Sequence, residues 1–232
     1  ISCTIVLLSL LLASSRPASA MMKASTTHHM EYKIELVPGK QCPPLSKDLL
    51  TQHAKDKMVL IMAVDKLLMQ RFGRSWIQAV QKSGITYWYI AAMDPWTSEA
   101  LGSLNITQCF NAPYKKLGYK GAGEAYQWGS NHWLQTTWNK VFIIRAVYRM
   151  GFHVLHSDAD TTWWNDPHQW LTQFTKDEAP PHALFTTDSL ETRNEPADQG
   201  LEASTSPWYN INTGVYFIKQ YPHGEQFFKD WL

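Results

Sequence analysis

Cysteine, unbalanced charge and long apolar runs are all scarce in this chain, and each scarcity excludes a class of protein. Three cysteines in 232 residues cannot build a disulfide-rich scaffold, and no Cys-x-x-Cys pair points to a zinc site. Twenty-one basic residues balance 20 acidic ones, for a net charge of +1. Because this balance argues against a polybasic surface or an acidic tail, we expect no nucleic acid partner.

The N-terminal segment carries the pattern of a targeting sequence. The apolar run from Ile5 to Ala13 is too short to span a bilayer as written. It is followed by Ala18-Ser19-Ala20, which is an A-x-A cleavage pattern. Residues 1–20 are therefore predicted to be a signal peptide or the remnant of a single membrane anchor, and either one would place the following residues in the secretory lumen.

Two further features are compatible with a lumenal route. Asn105-Ile106-Thr107 is a glycosylation sequon. Cys42 and Cys109 could pair in an oxidising lumen, although the sequence leaves open the alternative that both thiols are unpaired.

Composition and punctuation divide the rest of the chain in two. Residues 21–57 are polar and interrupted by three prolines and a glycine, which predicts a stem or linker. Hydrophobic residues make up 44% of the chain and charged residues 18%, so a folded core is expected, and we place the domain over residues 58–232. Ile1 is not an initiator Met, and the chain ends inside an amphipathic pattern without a stop signal, so truncation is expected at both ends.

Apolar runs and helical spacing alternate from Met58 onward. Strands are predicted for Met58–Val64, Ile85–Ala92, Phe152–Ser157, Ala183–Thr187 and Val215–Lys219. Helices are predicted for Leu67–Lys82 and Trp133–Met150, for a short segment after Asp94, and from near His223. This alternation predicts an α/β fold with a mostly parallel central sheet, helices on its faces and right-handed crossovers.

Acidic residues follow the predicted strands. Sheets of this kind bind ligands beyond the carboxyl ends of their strands. Asp65, Asp94, Asp158 and Asp188 each lie at, or within two residues of, such an end. They are candidates for a cofactor-binding rim that attracts cations. For Asp65 and Asp94 the alternative is that each begins a loop or caps a helix.

The most informative stretch is Ser157-Asp158-Ala159-Asp160, which follows an apolar strand. Residues i and i+2 of an extended chain face the same side, and two adjacent carboxylates repel each other unless a cation lies between them. Mg²⁺ and Mn²⁺ prefer oxygen ligands and commonly combine one or two carboxylates with phosphate oxygens and water. Asp158 and Asp160 are therefore the candidate ligands of a metal–diphosphate.

Three blocks of the sequence resemble the plant and algal nucleotide-diphospho-sugar transferases, family 77 of the glycosyltransferases. The residues from His153 to Pro167 (HVLHSDADTTWWNDP) are similar to the family's metal block, and those from Met58 to Asp94 to its N-terminal nucleotide-binding half. The stretch from Asn210 to Phe217 (NINTGVYF) resembles a third block, and Phe227 to Trp231 the helix after it. The resemblance covers about Met58 to Leu232.

The resemblance implies a GT-A fold that binds a nucleotide-sugar, expected to be a UDP-sugar, together with Mn²⁺ or Mg²⁺. The reaction it implies is transfer, with retention at the anomeric carbon, to a glycan or glycoprotein acceptor. It also implies a Golgi membrane or lumenal location rather than secretion. Asp158 would face the ribose and the metal, and Asp160 would bind the metal. Lys140 could reach a phosphate, with a solvated lysine as the alternative.

The resemblance further implies a sugar pocket lined by Asp188 and by the turn Asn210–Gly214. Among these residues we regard Asp188 and Asn212 as candidate catalytic residues, and Asn210 and Gly214 as candidate donor-binding residues. Asn165 stands where the family often has Arg. A third metal ligand is not identifiable, and His223 is a candidate only by its residue type.

Two other functions remain open on the sequence. The stretch from Asp158 to Thr162 also fits the D-x-D-x-T pattern of the haloacid dehalogenase-like phosphohydrolases, in which the first Asp is the nucleophile, but no later Gly-Asp-x-x-x-Asp follows. A non-catalytic sugar-binding lumenal domain is the second alternative, since a fold does not establish activity.

Overall fold

Strands and helices alternate along the chain in a computed structural model that describes residues 5–8, 34–113, 129–176, 181–187, 201–202 and 211–232. The strands are β1 Ile5–Leu8, β2 Met58–Val64, β3 Trp88–Ala92, β4 Cys109–Asn111, β5 His153–Ser157, β6 Ala183–Thr187, β7 Leu201–Glu202 and β8 Ile211–Ile218. The helices are α1 Lys47–Thr51, α2 Lys66–Leu68, α3 Arg74–Lys82, α4 Pro95–Ser103, α5 Asn131–Tyr148, α6 His168–Leu171 and α7 Gly224–Trp231. A π-helical turn, Met69–Gly73, joins α2 to α3, and a 3-10 turn, Thr172–Phe174, follows α6.

The strands form one sheet in the order β4-β3-β2-β5-β8-β6-β1-β7. Pairing is parallel within β4-β3-β2-β5 and between β6 and β1, whereas β8 is antiparallel to both of its neighbours and β7 is antiparallel to β1. All strands except β7 and β8 therefore run in one direction. The predicted α/β class with a mostly parallel sheet is confirmed, and it is compatible with a GT-A architecture.

The core fills both faces of the sheet. Every residue of β2 is buried, and alternate residues belong to two separate apolar clusters. Leu60 and its neighbours pack with α3 through Trp76 on one face. Ile61 and its neighbours pack with α5 and α7 on the other, through Val147 and Phe228. A strand covered on both faces has no polar side, which explains why its sequence is a continuous apolar run.

The predicted elements agree with the structure where the apolar pattern is strong. β2 and β6 have the predicted bounds, and α5 lies within two residues of its prediction at each end. The helix predicted from Leu67 to Lys82 contains the π-helical turn that ends at Gly73. β3 begins three residues later than predicted and β8 four residues earlier, and α1 and β4 were not anticipated.

The chain packs on the sheet before residue 58. Cys42 and Leu50 are fully buried, and Cys42 forms a disulfide with Cys109 of β4, with their Cα atoms 5.5 Å apart. The backbone N–H of Asn111 donates to the carbonyl oxygen of Pro43 at 2.8 Å. This bond adds a single parallel bridge, between Pro44 and Asn111, to the outer side of β4. The part of the predicted stem from residue 34 onward is thus held against the domain, and the boundary at residue 58 stays a prediction.

The N-terminal assignment is only partly covered by the described residues. The backbone of Ile5–Leu8 pairs in parallel with β6, whereas residues 9–20 lie outside the described part of the chain. Among the helices that the structure describes, none is both long enough and apolar enough to cross a bilayer. The signal peptide or anchor predicted for residues 1–20 stays a prediction.

Candidate active site

Asp158 lies directly after β5, at the point in the sheet where the order of successive strands reverses. β2 and β5 are neighbours, with Ile61 opposite His156. From β2 the chain continues to β3 and β4 on one side of the sheet, while β5 lies on the other side. The carboxyl ends of two such strands leave a crevice between their loops, and α/β sheets bind ligands there.

The Asp-x-Asp segment is a turn rather than a continuation of the strand. The backbone N–H of Thr161 donates to the carbonyl oxygen of Asp158 at 3.3 Å. Ala159 is buried beneath the turn, and Asp160 is exposed. The extended geometry from which the pairing of Asp158 and Asp160 was inferred is therefore wrong, although the turn keeps both carboxylates at the strand end.

Ser157 anchors this turn from below, and sequence reasoning gave it no role. Its hydroxyl oxygen accepts from the indole N–H of Trp76 at 3.0 Å and from that of Trp163 at 3.2 Å. The same hydroxyl donates to the backbone carbonyl of Asp158 at 2.9 Å. All three side chains are buried, so this one oxygen connects α3, the end of β5 and the loop after the turn. Trp163 is thereby held next to the Asp-x-Asp turn.

We expect Ser157→Ala to destabilise the fold by about 2–3 kcal/mol, because two buried indole N–H groups lose their acceptor. Thermal unfolding measures this loss, and Ser83→Ala is the matched control. The Ser83 hydroxyl only donates to the carbonyl oxygen of Val80, so its removal leaves no N–H donor unsatisfied. Equal stability of the two variants would show that the indoles do not depend on Ser157.

The Asp158 carboxylate is held by two side chains on the same oxygen. The ammonium of Lys140, from α5, lies 2.5 Å from Oδ1, and Nε2 of His156 lies 3.4 Å from it. Burial opposes ionisation, but Lys140 and His156 outweigh it and lower the pKa of Asp158 to about 2. Burial lowers the pKa of His156, so the imidazole is neutral at pH 7 and Lys140 supplies the balancing charge.

A bulge in β8 carries the third sequence block to the same place. Phe185 pairs with Tyr216, but the next residue of β6, Thr186, pairs with Asn212. Residues 213–215 are therefore extra on this side of the ladder and arch out of it. The Thr186 hydroxyl contacts the arch by donating to the carbonyl oxygen of Asn212 at 3.2 Å.

The tip of this arch touches the Asp-x-Asp turn. The backbone N–H of Asp158 donates to the carbonyl oxygen of Gly214 at 2.6 Å, and the N–H of Gly214 donates to Oδ1 of Asn212 at 2.6 Å. A Cβ at position 214 would lie 2.8 Å from Asn212 Oδ1 and 3.3 Å from Asp158 Oδ2. A side chain at position 214 would therefore push the Asn212 amide from its present position, whereas glycine leaves it in place, and the reaction roles of Asn212 and Gly214 stay predictions.

Asp65 and Asp94 lie at the same edge and cap helices. Asp65 is the N-cap of α2, and its Oδ2 lies 3.0 Å from Nε2 of His132 in the first turn of α5. Asp94 is the N-cap of α4, where it accepts from the backbone N–H and the hydroxyl of Thr97. It also accepts from the backbone N–H of Lys66 at 2.6 Å. These contacts agree with the capping alternative, and donor binding by either residue stays a prediction.

The remaining predicted site residues either lie outside the described part of the chain or are described away from this edge. Asp188 and Asn210 lie outside the described residues. His223 is exposed at the start of α7, beyond the opposite end of β8.

A cavity of about 220 Å³ next to Asp158 has aromatic walls that sequence reasoning missed. Trp133 and Trp138 of α5 and Trp231 of α7 line it, together with Lys140. The sequence could have indicated this wall, because residues three and four apart are neighbours on a helix. That spacing puts residues 133, 137, 140 and 141 on one face of α5, the face that lines the cavity. Trp138 is thus half-buried beside the site.

The oxygen donors present suit a cation that a diphosphate helps to hold. Asp158 Oδ2 faces the arch, and Asp160 offers an exposed carboxylate on the same turn. Among the described residues there is no group of three or more His, Cys, Asp or Glu side chains that could hold a metal by themselves. A set of two carboxylates fits Mg²⁺ or Mn²⁺ when phosphate oxygens and water complete the coordination.

The chain folds as an α/β domain in which Asp158, paired with Lys140, and the exposed Asp160 lie on one turn at the carboxyl edge of the parallel strands. The model of the nucleotide-diphospho-sugar transferase family matches residues 83–232, which is more than half of the chain. The chain belongs to this family, and the predicted resemblance is confirmed.

One curated relative gives a more specific comparison. The chain is 22% identical over 197 residues to Arabinosyltransferase XEG113 of Arabidopsis thaliana, and the match covers 83% of this chain and 29% of the relative. The chain thus spans less than a third of the length of that protein. No solved structure matches the chain.

Proposed function

We propose that this chain carries the donor-binding part of a glycosyltransferase that moves a sugar from a nucleoside diphosphate to a glycan or glycoprotein acceptor with the help of Mn²⁺ or Mg²⁺. Family membership supports the nucleotide-sugar donor. The observation that carries the proposal is the contact of the two blocks at one edge, where the Gly214 arch hydrogen-bonds the Asp158 turn beside Lys140.

The residues of the site have separate roles in the proposed reaction. Asp160 and Asp158 hold the cation, and Lys140 contacts the diphosphate. The bound cation supplies Lewis-acid neutralisation of the charge that builds on the departing diphosphate. Ser157 and Gly214 fix the turn by their contacts with the Asp158 backbone. Retention at the anomeric carbon is proposed from the family resemblance, with Asp188 and Asn212 at the sugar.

The similar Arabidopsis protein, and not the geometry of the site, suggests which sugar the donor carries. The name of the Arabidopsis protein says that it transfers arabinose, so a test of donors should include UDP-arabinose as well as UDP-hexoses.

Two features of the described chain bear on its cellular location. The Cys42–Cys109 disulfide and the exposed Asn105 of the sequon both support a secretory lumen, and we propose the Golgi.

A panel of UDP-sugars tests the function in the full-length protein. We expect release of UDP from one donor class with Mn²⁺, and none after chelation by EDTA. Donor binding without release of UDP or transfer would favour the non-catalytic sugar-binding domain. A trapped aspartyl-phosphate with phosphatase activity would favour the phosphohydrolase, in which Asp158 is the nucleophile.

A further inference from the structure

Lys140 forms an ion pair with Asp158, the same carboxylate that binds the cation in the proposed function. Its ammonium is 2.5 Å from Oδ1 of Asp158, and the two side chains are 16% and 32% exposed. A charge pair so largely withdrawn from water is screened less than a surface pair. Without a ligand, the negative charge of Asp158 is therefore already balanced from within the protein.

This pairing disfavours a second cation at Asp158. A divalent ion on either oxygen of Asp158 would lie close to the Lys140 ammonium, and the two positive charges would repel each other across a poorly screened distance. Asp160 offers one further carboxylate on the same turn. Among the described residues no larger group of metal-binding side chains compensates.

A nucleoside diphosphate changes the charge balance. Its phosphate oxygens add several negative charges, so Lys140 and a divalent ion can both have an anionic partner. A lysine ammonium is a point charge on a flexible stem and can move between acceptors without a fixed geometry. Lys140 begins its stem on α5 and already lines the cavity beside Asp158, so a shift to a bound phosphate needs only side-chain rotation.

We propose that Lys140 makes cation binding at Asp158 depend on the nucleoside diphosphate, by occupying the carboxylate until a phosphate offers a second anion. The inference rests on the proposed function and adds the order of events: the cation binds with the donor and not before it. Lys140 is a positioning residue in this role, since it acts on the cation through Asp158. Because binding free energies are coupled reciprocally, the cation must raise the affinity for the diphosphate by the same factor.

The test is a Mn²⁺ titration of the full chain, with free Mn²⁺ followed by electron paramagnetic resonance, in the presence and absence of UDP. We expect Lys140→Met and Lys140→Gln to bind Mn²⁺ alone at least about fivefold more tightly than the unsubstituted chain. The enhancement of Mn²⁺ binding by UDP should fall by at least the same factor. Lys140→Arg keeps the charge and should restore the coupling.

The matched control is Lys55→Met, which breaks another lysine–aspartate pair, the one with Asp166 at 3.2 Å. Lys55 lies near the start of β2, at the end of the strands opposite to the site. Its substitution should change neither the affinity for Mn²⁺ alone nor the affinity for Mn²⁺ with UDP. Unchanged or weaker binding of Mn²⁺ alone by both neutral Lys140 variants, with thermal unfolding showing a folded protein, would overturn the inference. Absence of UDP binding in every chain would instead contradict the proposed function, while tighter Mn²⁺ binding by the Lys140 variants would still support the competition.

Discussion

Asp160→Ala should abolish metal-dependent donor binding and leave the fold unchanged. Its side chain is exposed on the turn after β5 and makes no hydrogen bond or ion pair with the described residues, so its removal disturbs no packing. Changes to groups that merely orient metal ligands cost about 10–100-fold in metal affinity, and loss of a carboxylate ligand should cost at least that much. Calorimetric titration with UDP in the presence of Mn²⁺ measures the effect.

Asp158 is the less clean probe of the metal assignment. Its removal would leave Lys140 half-buried without its anion, which is itself destabilising, so lost donor binding could follow from local unfolding. Asp160→Ala should therefore be compared with Asp48→Ala, an exposed aspartate of α1, whose loss should leave donor binding intact. Donor binding that survives Asp160→Ala at full strength would show that the metal assignment is wrong.

Removal of the Cys42–Cys109 disulfide should produce the largest loss of stability. The bond joins residues 67 apart in sequence, and closing a loop of that length constrains the unfolded chain by about 4 kcal/mol in the chain-entropy model. For a chain of this size, a melting temperature lower by about 8–16 °C is expected. Thermal unfolding of the Cys42→Ser/Cys109→Ser double variant measures it.

The same variant separates stability from site chemistry. The disulfide ties residue 42 to β4 at the edge of the sheet, three strands away from β5, so donor binding at low temperature should be unchanged. A reducing agent should lower the melting temperature of the natural chain to that of the variant and should not affect the variant. Free thiols at both positions in the natural protein, or equal melting temperatures, would contradict the assignment.

The sequence predicted best where burial is complete. β2 and β6 have their predicted bounds because a strand covered on both faces is written as a continuous apolar run. β8 was mis-bounded because its bulge breaks the periodicity at residues 213–215. The antiparallel direction of β8 was not anticipated, since strand direction depends on where the connection returns and leaves no mark in the apolar pattern.

By itself the sequence determined the α/β class, the Asp-x-Asp at a strand end and the family, because these depend on local periodicity and on residues close together in the chain. Tertiary structure decided the rest. It brought Gly214 against Asp158 across 56 positions of sequence, gave Ser157 two indole donors and placed Lys140 on the Asp158 carboxylate. It also chose the cysteine pairing. Contacts between distant segments depend on how strands order themselves in the sheet, and that order is set by the packing of the whole domain.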